Sequence, residues 1–101
     1  MRMRIQILAA AMLVAASASA QDQQGRNLAA ACAICHGTEG RPAGKDSPLT
    51  PLAGLPREHI ASQMRAFRDG KRPATVMQQI AKGYTDPQID AMAAWYAAQK
   101  R

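Results

Sequence analysis

The decisive stretch of the sequence is Cys32-Ala33-Ile34-Cys35-His36, which has the pattern C-x-x-C-H. On a helical turn, positions i, i+3 and i+4 lie on one face. Both thiols and the imidazole therefore point to the same side of the chain. The spacing predicts that this segment presents two sulfur atoms and one imidazole to a single bound group.

This pattern is typical of covalent haem attachment. The thiols of Cys32 and Cys35 would add to the two vinyl groups on one haem edge, and His36 would hold the iron as its proximal axial ligand. A tetrahedral zinc site is one alternative, but it would need both cysteines, His36 and His59 as its four ligands. A redox-active dithiol is the other, and it calls for a helix start beside a strand, of which the sequence gives no sign. We therefore predict one covalently attached haem c with its iron.

The chain begins with the three-part pattern of a secretory signal peptide. Residues 1–4 are basic, residues 5–16 are uncharged and mostly apolar, and residues 18–20 are the small residues of a cleavage site. The apolar run is shorter than the about 20 residues that a spanning helix needs, which disfavours an uncleaved membrane anchor. We predict a signal peptide at residues 1–20 and a single domain at residues 21–101, with no membrane span after cleavage.

The remaining chain has helical signals and no strand pattern. Thr85 and Gln88 have the spacing of a capping box, and Gly70 stands where a left-handed residue ends a helix. Glycines and prolines punctuate residues 37–54, which predicts turns and loops. The fold class is therefore all-α, with three main helices and a short one. We expect these helices to run from Asp22 or Gln23 into the motif, from Pro56 to Gly70, over Val76 to Ala81 before Gly83, and from Thr85 toward the C-terminus.

The proximal ligand needs an orienting partner. A histidine binds iron through one neutral ring nitrogen while the other donates a hydrogen bond, usually to a backbone carbonyl. Pro48 and Pro51 lie in the loop that follows His36, and we expect one of them to supply that carbonyl.

The sixth iron ligand has to come from the C-terminal half of the chain. A methionine sulfur suits haem iron and raises its reduction potential. Met64 and Met92 lie on apolar helical stripes and are more simply core residues, whereas Met77 stands between two helices. We predict Met77 as the ligand. His59, Lys71, Met64 and an open site remain as alternatives.

The chain resembles the class I cytochrome c domains over residues 22–100. The resemblance is carried by the motif, by Met77, and by the helices that contain Gly25 and Trp95-Tyr96. Residues 52–54 and 80–84 are similar, more narrowly, to the haem-binding subunit of flavocytochrome c sulfide dehydrogenase and related periplasmic cytochromes. The resemblance implies the class I cytochrome c fold around a covalent haem, with the first and last helices crossing so that Gly25 meets Trp95 or Tyr96. One departure is that Thr50 stands where such domains often have a proline.

The resemblance also implies a function. We expect an exported, periplasmic electron-transfer protein that is not itself an enzyme and carries one electron at a time through a low-spin haem. The axial ligands would be His36 and Met77, and the partners would be redox proteins. The alternative is a tightly bound haem subunit of a sulfide-oxidising flavoprotein dehydrogenase. A gas sensor or peroxidase would instead require an open sixth position.

A basic cluster lies near the end of the second predicted helix. It consists of Arg65, Arg68, Lys71 and Arg72. This cluster is either an ordinary solvated face or a docking surface for an acidic redox partner. Nucleic acid is disfavoured because the formal net charge falls from +6 to only +4 once Arg2 and Arg4 are removed with the signal peptide.

Overall fold

The computed structural model describes residues 23–44 and 47–101. Helix α1 covers residues 23–29 and continues through a 3-10 turn, Ala30–Cys32, into α2, Ala33–His36. After a second 3-10 turn at Thr38–Gly40 come α3, Arg57–Arg68, then α4, Met77–Ala81, and α5, Asp86–Ala97. These residues include no β-strand. The predicted all-α class, with three main helices and a short one, is confirmed.

The N-terminal predictions lie outside this part of the chain. The predicted signal peptide at residues 1–20 and the proposed helix start at Asp22 are not among the described residues. Within residues 23–44 and 47–101, none of the helices has both the length and the apolar composition needed to cross a membrane.

The residues predicted to begin and end helices lie at the helix ends in the structure. The Thr85 hydroxyl accepts a bond of 3.3 Å from the Gln88 amide, and the Gln88 side chain accepts one of 2.9 Å from the Thr85 amide. This capping box satisfies two donors at the start of α5. Helix α3 begins at Arg57, directly after Pro56, and Gly70 follows its end with a φ of +75°.

The core lies between α3 and α5, with one residue each from α1 and α4. Helix α5 is held against α3 by a stripe of side chains at the 3.6-residue period, which become fully buried when the two helices pack. Both Met64 and Met92 belong to this core, at 5 % and 1 % exposure. Its members are Ala29, Ile60, Ala61, Met64, Ala81, Ile89, Met92, Ala93 and Tyr96.

Helices α1 and α5 meet at Gly25 without room for a side chain. A Cβ on Gly25 would lie 2.8 Å from the carbonyl oxygen of Ala91 and 3.3 Å from the Cβ of Trp95. The predicted contact with Trp95 is confirmed, while Tyr96 packs elsewhere, donating its hydroxyl to the carbonyl of Ala29. A glycine that would weaken an isolated helix is needed here because the obstacle is a backbone atom.

Gly25→Ala is expected to lower the free energy of unfolding by about 1–3 kcal/mol, because overpacking against a backbone carbonyl outweighs the gain in helix propensity. Gly83→Ala is the matched control, since a Cβ there would meet its nearest atom, the Ile80 carbonyl oxygen, at 3.4 Å. Denaturant titration of both purified variants measures the difference. Equal stabilities would contradict the close crossing.

Candidate haem-binding site

The C-x-x-C-H motif forms a short helical stretch that ends abruptly. Gly37 follows His36 with a φ of +90°, and a Cβ on Gly37 would lie 2.1 Å from the Arg41 carbonyl oxygen. Only a glycine can make this turn without strain and collision. The chain therefore folds back directly after His36, and the imidazole stands at the end of the stretch that carries both cysteines.

Both cysteines are free thiols, and their surroundings differ. Cys32 is half-buried and packs against the core, whereas Cys35 is exposed. Burial raises the pKa of the Cys32 thiol, an effect that the hydroxyls of Tyr96 and Tyr84 partly offset. Both sulfur atoms are thus available for covalent attachment, one from within the fold and one from its surface.

His36 is oriented by a backbone carbonyl, although not the expected one. Its Nδ1 lies 2.7 Å from the carbonyl oxygen of Thr50. The prediction that Pro48 or Pro51 supplies this carbonyl is wrong. Any residue's carbonyl can accept the bond, so what matters is which residue the loop brings to the ring. With Nδ1 donating to Thr50, the ring leaves its Nε2 free as a metal ligand.

The loop that carries Thr50 is fixed to the turn after the motif. The amides of Leu52 and Ala53 both donate to the Gly40 carbonyl, at 2.9 and 3.2 Å. Gly40 has a φ of +79°, and a Cβ there would lie 2.8 Å from both the Ala53 nitrogen and the Tyr96 ring. Two close glycine contacts, at Gly37 and Gly40, thus set the register that brings Thr50 to His36.

Met77 is the first residue of α4 and is half-buried against the same core as Cys32. Its helix is anchored by Ala81, which is fully buried. Met64 and Met92 are enclosed in the core instead, and His59 and Lys71 are exposed. Among the candidates for the sixth ligand, Met77 is the methionine that is not enclosed.

The residues fit an apolar, planar, iron-containing group. The donor set comprises two free thiols, an imidazole with an oriented ring and a thioether, and soft sulfur and imidazole ligands suit haem iron. Large hydrophobic side chains left exposed by the fold flank this set: Leu49 is next to Thr50, and Val76 and Ile80 flank Met77. These side chains are available to pack against an apolar ring.

A zinc site does not assemble among the described residues. No group of three or more histidine, cysteine, aspartate or glutamate side chains there is close enough to hold a metal ion. His59 in particular belongs to α3 and does not join the two cysteines and His36.

Three features of the site were not predicted from the sequence. The Thr50 carbonyl could have been found from its position, since Thr50 stands where similar domains have a proline. The hydroxyls of Tyr84 and Tyr96, which bond the carbonyls of Leu28 and Ala29 beside the motif, have no local sequence signal. Their partners lie 56 and 67 residues away along the chain.

Comparison with known proteins identifies the class of protein. The chain is 34 % identical over 80 residues to cytochrome c-554(548) of Halomonas halodenitrificans, an alignment that covers 75 % of this chain and 93 % of that protein. It is 35 % identical over 75 residues to the cytochrome subunit of sulfide dehydrogenase of Chlorobaculum tepidum, covering 74 % of this chain and 66 % of the relative. No family model matches the chain.

A third relative is considerably longer. The thiosulfate dehydrogenase electron acceptor of Thiomonas intermedia is 41 % identical over 73 residues, which are 71 % of this chain and 33 % of that protein. The chain thus spans about a third of the length of this relative and about two thirds of the Chlorobaculum protein.

The chain belongs to the c-type cytochromes. Its cofactor is covalently bound haem c with iron, and its class is that of electron-transfer proteins that work with redox partners and are not themselves catalytic. The prediction of a haem-carrying electron-transfer cytochrome with the class I fold is confirmed.

Proposed function

We propose that this protein carries one electron at a time through a low-spin haem held by His36 and Met77 and attached to Cys32 and Cys35. The observation that carries the proposal is the bond of 2.7 Å between His36 Nδ1 and the Thr50 carbonyl, within one turn of two free thiols. Haem iron supplies a ferrous–ferric couple when bound. The residues of the chain would orient the iron ligands and tune the reduction potential of that couple.

Each ligand has a distinct role in this proposal. The hydrogen bond to Thr50 keeps the His36 ring in one tautomer and one orientation, with Nε2 toward the iron. The Met77 thioether would raise the reduction potential and would fill the position that a gas or peroxide needs. The exposed apolar side chains of Leu49, Val76 and Ile80 would pack on the haem and limit the access of water to it. The arrangement therefore favours electron transfer over ligand binding.

The methionine ligand can be tested with three matched variants. Met77→Leu is expected to lower the reduction potential by on the order of 0.1 V, because a soft ligand that favours ferrous iron is lost. The ferrous variant should then bind carbon monoxide. Met64→Leu and Met92→Leu conserve core volume and should change neither property. Redox titration and carbon monoxide difference spectra report both.

The assignment fails if Met64→Leu or Met92→Leu opens the iron while Met77→Leu does not. Tight carbon monoxide binding by the unmodified ferrous protein would instead favour a gas sensor or peroxidase with an open sixth position.

A second candidate role is that of a tightly bound haem subunit of a flavoprotein that oxidises sulfide or another reduced sulfur compound. It is supported by the similarity to the Chlorobaculum cytochrome subunit of sulfide dehydrogenase. A freely diffusing carrier purifies as a monomer, whereas a subunit retains a stoichiometric flavoprotein on gel filtration.

We further propose export to the periplasm, with residues 1–20 as the cleaved signal peptide and residues 21–101 as the cytochrome domain.

The basic cluster divides into two halves in the structure. Arg65 pairs with Asp86 and Asp90 at 3.0 and 2.7 Å, and Arg68 pairs with Asp86 at 2.8 Å. These bonds tie α3 to α5, and the two guanidinium groups lower the pKa of Asp86 below its usual range. The cations of this half are neutralised within the chain, so they contribute little to attracting a partner.

The other half of the cluster, Lys71 and Arg72, is not neutralised by an ion pair among the described residues and precedes the Met77 helix, and Lys82, which is outside the cluster, follows that helix. Lys71 and Lys82, before and after α4, form no ion pair within residues 23–44 and 47–101. The turn at Gly70 packs toward α4, since a Cβ there would lie 3.7 Å from the Gln78 side chain. We propose that an acidic redox partner docks at these lysines. Complementary charge would raise its encounter rate.

Lys71→Glu combined with Lys82→Glu is expected to slow electron transfer to an acidic partner by about tenfold at low ionic strength, with the difference shrinking as salt screens the charges. The control is a second double variant, Lys100→Glu combined with Arg101→Glu, which makes the same change in net charge at the C-terminus. Stopped-flow rates against ionic strength compare the two. Equal slowing by both pairs would mean that net charge, and not this face, governs the encounter.

A further inference from the structure

We propose that Tyr84 and Tyr96 are positioning residues for haem attachment at Cys32. Their hydroxyls donate to consecutive backbone carbonyls in the last turn of α1: Tyr84 to Leu28 at 3.0 Å and Tyr96 to Ala29 at 2.6 Å. The inference rests on the proposed attachment of haem to Cys32 and Cys35. It gives two residues from the C-terminal half of the chain a part in haem attachment.

The backbone changes from α-helical to 3-10 hydrogen bonding at Ala29, where the Tyr96 hydroxyl bonds. The chain passes from α-helix into the 3-10 turn Ala30–Cys32, and the Ala33 amide donates to the Ala30 carbonyl. In a continuous α-helix that amide would donate to Ala29. The Ala29 carbonyl instead accepts the first bond of the 3-10 turn, from the Cys32 amide, in a residue that is 1 % exposed. Tyr96, which is fully buried on α5, supplies a second donor to this carbonyl from outside the helix.

The change of pitch determines the direction of Cys32. A 3-10 turn advances each residue by about 120° about the axis, compared with about 100° in an α-helix. The position of the transition therefore sets where the Cys32 sulfur points relative to α1 and to the core against which Cys32 packs. By bonding the carbonyls of Leu28 and Ala29, the two tyrosines hold the transition at this residue.

Both hydroxyls also face the Cys32 thiol itself, and burial raises the pKa of Tyr96 as it does that of Cys32. Cys35 is exposed and has no comparable neighbours. The two sulfur atoms are therefore held differently. Cys32 is half-buried beside two tyrosine hydroxyls that are themselves bonded to backbone carbonyls, whereas Cys35 is exposed and free to adjust.

Attachment at Cys32 is an addition that changes no overall oxidation state. The S–H bond of Cys32 breaks, a bond forms between Sγ and one vinyl carbon, and the hydrogen ends on the other vinyl carbon. A reduced thiol is the only requirement on the protein side, and Cys32 is free. What the tyrosines contribute is the direction of the sulfur before the bond forms.

The test compares Tyr84→Phe, Tyr96→Phe and the double variant after maturation in a bacterial host. Each change removes a hydroxyl and keeps the ring. We expect the fraction of protein joined to haem through Cys35 alone to rise by about three- to tenfold, the factor that one neutral hydrogen bond is worth. Mass mapping of haem peptides identifies the attached cysteine. The ferrous absorption band should shift in parallel, because one vinyl group stays unsaturated.

Met92→Leu is the control, since it perturbs the same core without removing a polar group. Doubly attached haem at the wild-type level in all three phenylalanine variants would overturn the inference. Equal loss at both cysteines would also overturn it, because that indicates general misfolding. If the unmodified protein carried haem at neither cysteine, the proposed function itself would fail.

Discussion

The structure depends on the crossing of α1 and α5 at Gly25. A backbone carbonyl of α5 occupies the space that a side chain would need, so the two helices approach more closely than any other residue there would allow. Four residues after Gly25 on α1, the Ala29 carbonyl accepts a hydrogen bond from the Tyr96 hydroxyl of α5. These contacts fix the angle at which α1 delivers the C-x-x-C-H motif. A small chain thereby places its cofactor ligands by backbone packing, with little help from a large core.

The proposed site draws on three segments of the chain. The motif supplies the thiols and the imidazole, and the loop after Gly40 returns the Thr50 carbonyl to His36. The segment after α3 carries Met77 on a short helix whose Ala81 is anchored in the core. The proposed ligands are thus oriented by a backbone carbonyl, in the case of His36, and by packing against the core, in the case of Met77.

Sequence reasoning succeeded where the cause is local. The capping box of α5, the glycine after α3 and the helical spacing of the motif each follow from residues within a few positions of one another. The Thr50 carbonyl was missed because a backbone acceptor has no side-chain signature. The pairing of Arg65 with Asp86 and Asp90 was missed because it joins residues 21 and 25 positions apart on different helices. Both contacts depend on how segments distant in sequence are aligned in the folded chain, which no local pattern predicts.

The most direct test of the account is the NMR spectrum of the ferrous holoprotein with methyl-labelled methionine. A methionine bound to haem iron lies over the ring, whose ring current moves its methyl resonance far upfield. The account predicts this shift for Met77 alone, with Met64 and Met92 near their ordinary positions. An upfield methyl that is assigned to Met64 or Met92, or three ordinary methyl resonances, would contradict it.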